Sequence, residues 1–134
     1  MRILPDGNLI NIEKYGPSDL GLGGFPDGIT FDSYGNLWGT LVFGEKVFSI
    51  TPKGDLKIIF DDGNKEICRK IDSAFFNCTL TEELMLSGLS SVAPVMTSIT
   101  FGGKDLKNIY IGSVLGTSLP YFRSPVAGRP PIWW

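Results

Sequence analysis

Apolar residues along this chain come in short bursts, and nearly every burst ends in a turn-forming group. The runs 28–32, 36–42, 46–50 and 55–60 are rich in Ile, Phe, Val, Leu, Trp and Thr, and they are parted by Ser33-Tyr34-Gly35, Phe43-Gly44-Glu45 and Thr51-Pro52-Lys53-Gly54. β-Branched and aromatic residues suit a pleated, half-buried surface, whereas Gly, Pro, Asp and Ser supply the dihedrals of tight turns. The pattern predicts four antiparallel strands joined as a meander. Residues 8–15 predict one more strand, which follows the turn Pro5-Asp6-Gly7 and leads into a Gly-rich connection over 16–24.

After Asp61-Asp62-Gly63 the apolar period lengthens. Ile67, Ile71, Ala74, Phe75 and Cys78 recur at helical spacing, which predicts a helix of about three turns with one apolar face. A capping-box pattern over 79–82 precedes a second short helical piece at 83–86. We read 64–88 as a helical insertion whose apolar stripe covers the edge of a sheet and carries no chemistry. Strands resume at 97–101 and, after the turn Gly102-Gly103-Lys104-Asp105, at 108–113, with a third over 119–122. The Pro-rich end, 124–134, predicts an irregular terminal arm closing in two tryptophans, a sticky end if exposed.

The chain also echoes itself. Leu4-Pro5-Asp6-Gly7-Asn8-Leu9 and Thr51-Pro52-Lys53-Gly54-Asp55-Leu56 are two versions of one turn-into-strand pattern, 47 positions apart. That offset lies near the roughly 40 to 50 residue period of β-propeller blades, each of which is a four-stranded meander. Both copies then open the outermost strand of consecutive blades.

Composition narrows the chemistry. A length of 134 residues with 43% hydrophobic content suits one globular core. The net charge of -2, with both signs interspersed, offers no basic stripe to neutralise phosphates, so a nucleic-acid partner is not expected. No apolar run reaches the roughly 18 residues of a membrane span, and Pro5, Asp6 and Gly7 interrupt the N-terminal stretch before a signal-type core develops. The expectation is a soluble, cytoplasmic protein. Cys68 and Cys78 match neither a redox pair nor a zinc knuckle and are expected to be reduced and structural. The absence of His removes Ser-His-Asp and Cys-His nucleophiles and the commonest zinc ligand. Carboxylates, amides, hydroxyls and a hard metal ion remain.

Two segments carry a resemblance. Phe25-Pro26-Asp27-Gly28-Ile29-Thr30-Phe31-Asp32-Ser33-Tyr34-Gly35-Asn36-Leu37-Trp38-Gly39 resembles the regucalcin, gluconolactonase and luciferin-regenerating enzyme family, in which Pro-Asp-Gly opens the innermost strand of a blade and Asp-x-x-Gly-Asn-Leu-Trp turns into the next. Thr97-Ser98-Ile99-Thr100-Phe101-Gly102-Gly103-Lys104-Asp105-Leu106 with Ile109-Tyr110-Ile111 is similar to the innermost hairpin of the following blade, and Pro125-Val126-Ala127-Gly128 to the closing segment. The resemblance implies an all-β fold, a partial six-bladed β-propeller of about two blades plus a strand with a short helical insertion. In those terms 8–15 is the outer strand of a preceding blade, 28–60 a complete blade and 97–122 a partial last one.

The resemblance further implies a metal-dependent lactone hydrolase acting on a sugar-derived lactone. Asp27 matches the family position that ligates a divalent ion, commonly calcium, with zinc, manganese or magnesium also able to serve, and that is implicated in activating water. A carboxylate suits the task as a hard anionic oxygen, and such an ion can polarise a carbonyl oxygen. Thr97 and Ser98 open the next inner strand and could bond substrate hydroxyls, and Arg123 could reach an anionic substrate. Asp32, Asn36 and Trp38 are expected to be structural.

The chain departs from the family in lacking a counterpart to its N-terminal glutamate and mid-chain asparagine ligands, as a C-terminal portion of such a propeller would. Alone it is expected to be inactive and to self-associate through an exposed blade face. A propeller scaffold that binds without catalysing, and a strictosidine synthase-like propeller, are the alternative readings.

Overall fold

The computed structural model describes residues 2–131. The chain is mostly β, with antiparallel sheets and a short helical segment. A two-residue hairpin, β1 (Arg2–Ile3) and β2 (Leu9–Ile10), comes first. Sheet 1 follows as the meander β3 (Pro26–Phe31), β4 (Leu37–Leu41), β5 (Lys46–Ile50) and β6 (Leu56–Asp61), in that spatial order. The helices α1 (Lys65–Phe76) and α2 (Glu82–Met85) lead to sheet 2, made of β7 (Met96–Gly102), β8 (Asn108–Ser113) and β9 (Tyr121–Arg123).

Alternation along the strands builds the core. In sheet 1, Trp38 and Val47 point one way, and with Met96, Ile99, Ile109 and Ile111 of sheet 2 they form the larger buried cluster. Leu41, Phe48 and Ile50 point the other way and make a second cluster with Leu20, Leu37 and Leu56. Sheet 1 is therefore buried on both sides, which is why β4 and β5 read as nearly continuous apolar runs. The second face has an unexpected cover. The connection through 16–24 crosses it as a strap: Gly16 lies against Ile50, Leu20 packs on the cluster, Lys46 Nζ donates to the Leu22 carbonyl at 3.0 Å, and Gly23 abuts Gly44. A cleft of about 960 Å³ remains between the strap, the sheet face and the rings of Phe75 and Phe76.

The sequence echo is a structural one. In the first copy Leu4 N–H donates to Asn8 O at 2.9 Å and Gly7 N–H to Leu4 O at 2.9 Å; in the second Thr51 N–H donates to Asp55 O at 3.0 Å and Gly54 N–H to Thr51 O at 2.8 Å. Gly7 and Gly54 close the two turns at φ 86° and 92°, a region open to glycine at no steric cost. The expected strand over 8–15 is shorter than predicted, because only Leu9–Ile10 finds a ladder partner.

In the insertion, Asn64 caps α1 by accepting from the Glu66 and Ile67 N–H groups, and Cys68 and Ile71 are its buried side chains. Cys78 is not on the apolar face of the helix as its spacing predicted: it lies past the helix end at φ 55° and is exposed, while Cys68 is buried, and both are free. The cap of α2 is Thr81, which accepts from Leu84 N–H at 3.3 Å, so this helix begins at Glu82. Past β9 the chain is docked rather than loose. Ser33 N–H donates to Ala127 O, Gly128 N–H to Leu106 O and Arg129 N–H to Phe31 O, which ties both sheets together. The tryptophan pair at 133 and 134 lies outside the described residues.

Candidate functional site

Both first strands carry a β-bulge near their start. In β3 the pairs Pro26↔Leu41 and Ile29↔Gly39 leave Asp27 and Gly28 opposite Thr40 alone. In β7 the pairs Met96↔Ser113 and Ser98↔Gly112 leave Thr97 without an opposite residue. A bulge bends its strand and re-aims side chains. The two bulges meet: a Cβ added to Gly28 would lie 2.6 Å from Ser98 Cα and 2.6 Å from Thr97 O. Glycine is required there because two backbones touch. Asp27, Thr97 and Ser98 thus come from one junction between β3 and β7, with Asp27 and Ser98 exposed and Thr97 half-buried.

Arg123 is not brought to this junction. Its guanidinium grips Asp105 through Nη2 to Oδ2 at 2.6 Å and donates from Nη1 to Asn108 Oδ1 at 2.8 Å. Asn108 pairs with Gly102 while Ser98 pairs with Gly112, so Arg123 sits at the other end of sheet 2, roughly 13 Å along the strand at about 3.3 Å per residue. The side-chain hydrogen bond that Arg123 donates to Asp105 is the foremost influence raising the Arg123 pKa.

Two carboxylates are buried, Asp32, which the sequence marks as structural, and Glu45, which it does not single out. Asp32 accepts from Tyr34 N–H, Asn36 N–H, Asn36 Nδ2 and Trp38 Nε1 at 2.7 to 2.9 Å. Burial is the largest single influence on it and pushes its pKa up, but the combined donors outweigh burial and hold it below the usual range. Glu45 accepts from Val95 and Met96 N–H groups at the start of β7, and burial raises its pKa against those bonds. Turn composition hints at Asp32; Glu45 has no sequence signal, since its partners lie 50 and 51 residues away.

Calcium takes six to eight oxygen ligands. Among the described residues, no three His, Cys, Asp or Glu side chains are grouped to share an ion. The junction offers one carboxylate and two hydroxyls, so the residues of this chain alone do not fit a resident calcium ion. Nor is any helix among the described residues long and apolar enough to cross a membrane. No family model and no curated protein matches the chain.

Proposed function

We propose that the two sheets are consecutive blades of a β-propeller, and that Asp27, Thr97 and Ser98 are this chain's share of a lactone hydrolase site on its axis. The observation that carries the reading is the meeting of two bulged first strands at Gly28 and Ser98. Adjacent blades pack face to face with their first strands innermost, and the packing of the two sheets through the cluster around Trp38 and Ile99 supports the reading. The repeated turn at Pro5 and Pro52 supports it, since it gives the chain two hairpins of the same build.

In this reading Asp27 contributes one anionic oxygen ligand toward a divalent ion, and the remaining ligands come from other blades. The Asp27 carboxylate takes the proton of the attacking water, whose oxygen bonds to the lactone carbonyl carbon, and returns that proton to the ring oxygen as the ring C–O bond breaks, giving the hydroxy acid. Thr97 and Ser98 hydroxyls bond the sugar hydroxyls. The lone carboxylate equally supports a second reading, a propeller scaffold that binds without catalysis.

One pair of measurements separates them. Titration calorimetry with calcium, manganese and zinc, and pH-stat assays with five- and six-membered sugar lactones, are run on this chain and on a longer chain carrying the remaining blades. The hydrolase reading expects slow or no turnover in the first and metal-stimulated turnover in the second that Asp27→Asn lowers by about 100-fold or more. A folded longer chain without turnover, or turnover indifferent to Asp27→Asn, leaves only the scaffold.

A further inference from the structure

Sheet 2 reaches the junction through a short stretch held in an unusual conformation, and Glu45 is what holds it. Glu45 sits in the β4–β5 turn and is 2% exposed. Both carboxylate oxygens serve the backbone of a segment 50 residues on: Oε1 accepts Val95 N–H at 2.8 Å and Oε2 accepts Met96 N–H at 3.3 Å. Glu45 and Val95 themselves both lie in the left-handed region, at φ 49° and 59°. For a β-branched residue that is a true outlier. It persists only where the surroundings over-determine it.

The surroundings of Val95 do so. Its N–H is bound by Glu45, its carbonyl accepts Val114 N–H at 3.1 Å, and its side chain is buried. Two residues further on, Thr97 bulges out and Ser98 seats on Gly28. Were Val95 to relax to an ordinary extended conformation, the direction of the strand and the register of the bulge would change together.

We propose that Glu45 is a positioning residue, whose carboxylate holds Val95 in the left-handed conformation and thereby seats Thr97 and Ser98 beside Asp27. Its service to a functional site rests on the reading above, but the coupling between Glu45 and Val95 does not depend on any activity.

The test is a double-mutant cycle with Glu45→Gln and Val95→Gly. Gln keeps the shape with one acceptor oxygen, and Gly adopts positive φ freely. The readouts are amide hydrogen exchange at Thr97 and Ser98 and the Gly28–Ser98 proximity seen by NMR. Glu45→Gln alone is expected to speed exchange about tenfold or more and to weaken that proximity. With Val95→Gly already present, the same change is expected to speed exchange less than about twofold and to leave the proximity intact. Equal effects in both backgrounds overturn the proposal, because Glu45 would then merely satisfy two N–H groups. If Glu45→Gln unfolds the chain and adding Val95→Gly restores it, the proposal stands; if neither variant folds, it falls. Manganese broadening of the Asp27 and Ser98 signals in the unaltered chain reports on the metal reading separately, so a loss of one leaves the other measurable.

Discussion

Asp32 shows how one buried side chain can organise a turn and a sheet interface together. Its two oxygens collect four N–H groups from three residues, among them the Trp38 indole that packs on Phe101 across the inter-sheet space. Replacing it with Ala strands the indole N–H in the core, so Asp32→Ala is expected to cost about 3 kcal/mol in urea unfolding. Its pH dependence has a definite sign. A carboxyl held below its unfolded value contributes stability that is complete above about pH 4 and is lost as pH falls through the folded pKa. Asp32→Asn should therefore flatten the acid limb of the stability curve, and an unchanged limb would contradict this account. Thr40 is the opposite case: its buried Oγ1 finds no partner among the described residues. Thr40→Val removes an unsatisfied hydroxyl at nearly constant shape and should raise stability by about 1 kcal/mol in the same unfolding measurement.

At the level of elements, β3 and β7 meet at Gly28, where there is no room for a side chain. The bulge that exposes Asp27 and the bulge that presents Thr97 are packed backbone to backbone through Gly28. A Cβ on Gly28 would lie only 2.6 Å from the Ser98 Cα and the Thr97 carbonyl oxygen, so Gly28→Ala must push the two backbones apart and should cost about 1 to 3 kcal/mol by overpacking. It should also move Ser98 away from Asp27, which a crystal structure or NMR shift map would register. The motif residues around Pro26 and Trp38 marked the first strand and its turn, and their strands were found close to their predicted limits. The strap at 16–24 was legible only as a Gly-rich connection, because its partner, the Phe48 and Ile50 face, lies far along the chain. The terminal arm was likewise underestimated, since three backbone hydrogen bonds to distant turns are invisible to patterning.

For the molecule as a whole, titration pulls in two directions. Glu45 has a folded pKa raised chiefly by burial, so its contribution is present below the unfolded pKa and fades as pH rises through the folded value. Asp62, lowered chiefly by the Ser90 hydroxyl, and Asp32 do the reverse and lose their contributions toward acid. Stability should pass through a maximum on the mildly acidic side of neutrality, and Glu45→Gln should flatten the fall above it; a monotonic rise to alkaline pH would refute this balance. The arm over 124–131 holds the two sheets to each other, with Gly128 against the Phe101 side chain. Gly128→Val should therefore loosen the sheet interface and expose Trp38, read as a red shift in its fluorescence and faster proteolysis of sheet 2.

Local chemistry determined the strands, their turns, the capped helix and the repeat, because each depends on dihedral preference and side-chain period over a few residues. Asp27 was marked as a candidate by the family resemblance of its segment, since local chemistry alone reads Pro26-Asp27-Gly28 as a turn. Tertiary structure alone decided that Asp27, Thr97 and Ser98 share one junction while Arg123 does not, that a strap covers the second face of sheet 1, and that Glu45 reaches across 50 residues to set the start of β7. Those are contacts between segments whose distance in sequence carries no periodic signal, and only the packing of both sheets around one core brings them together.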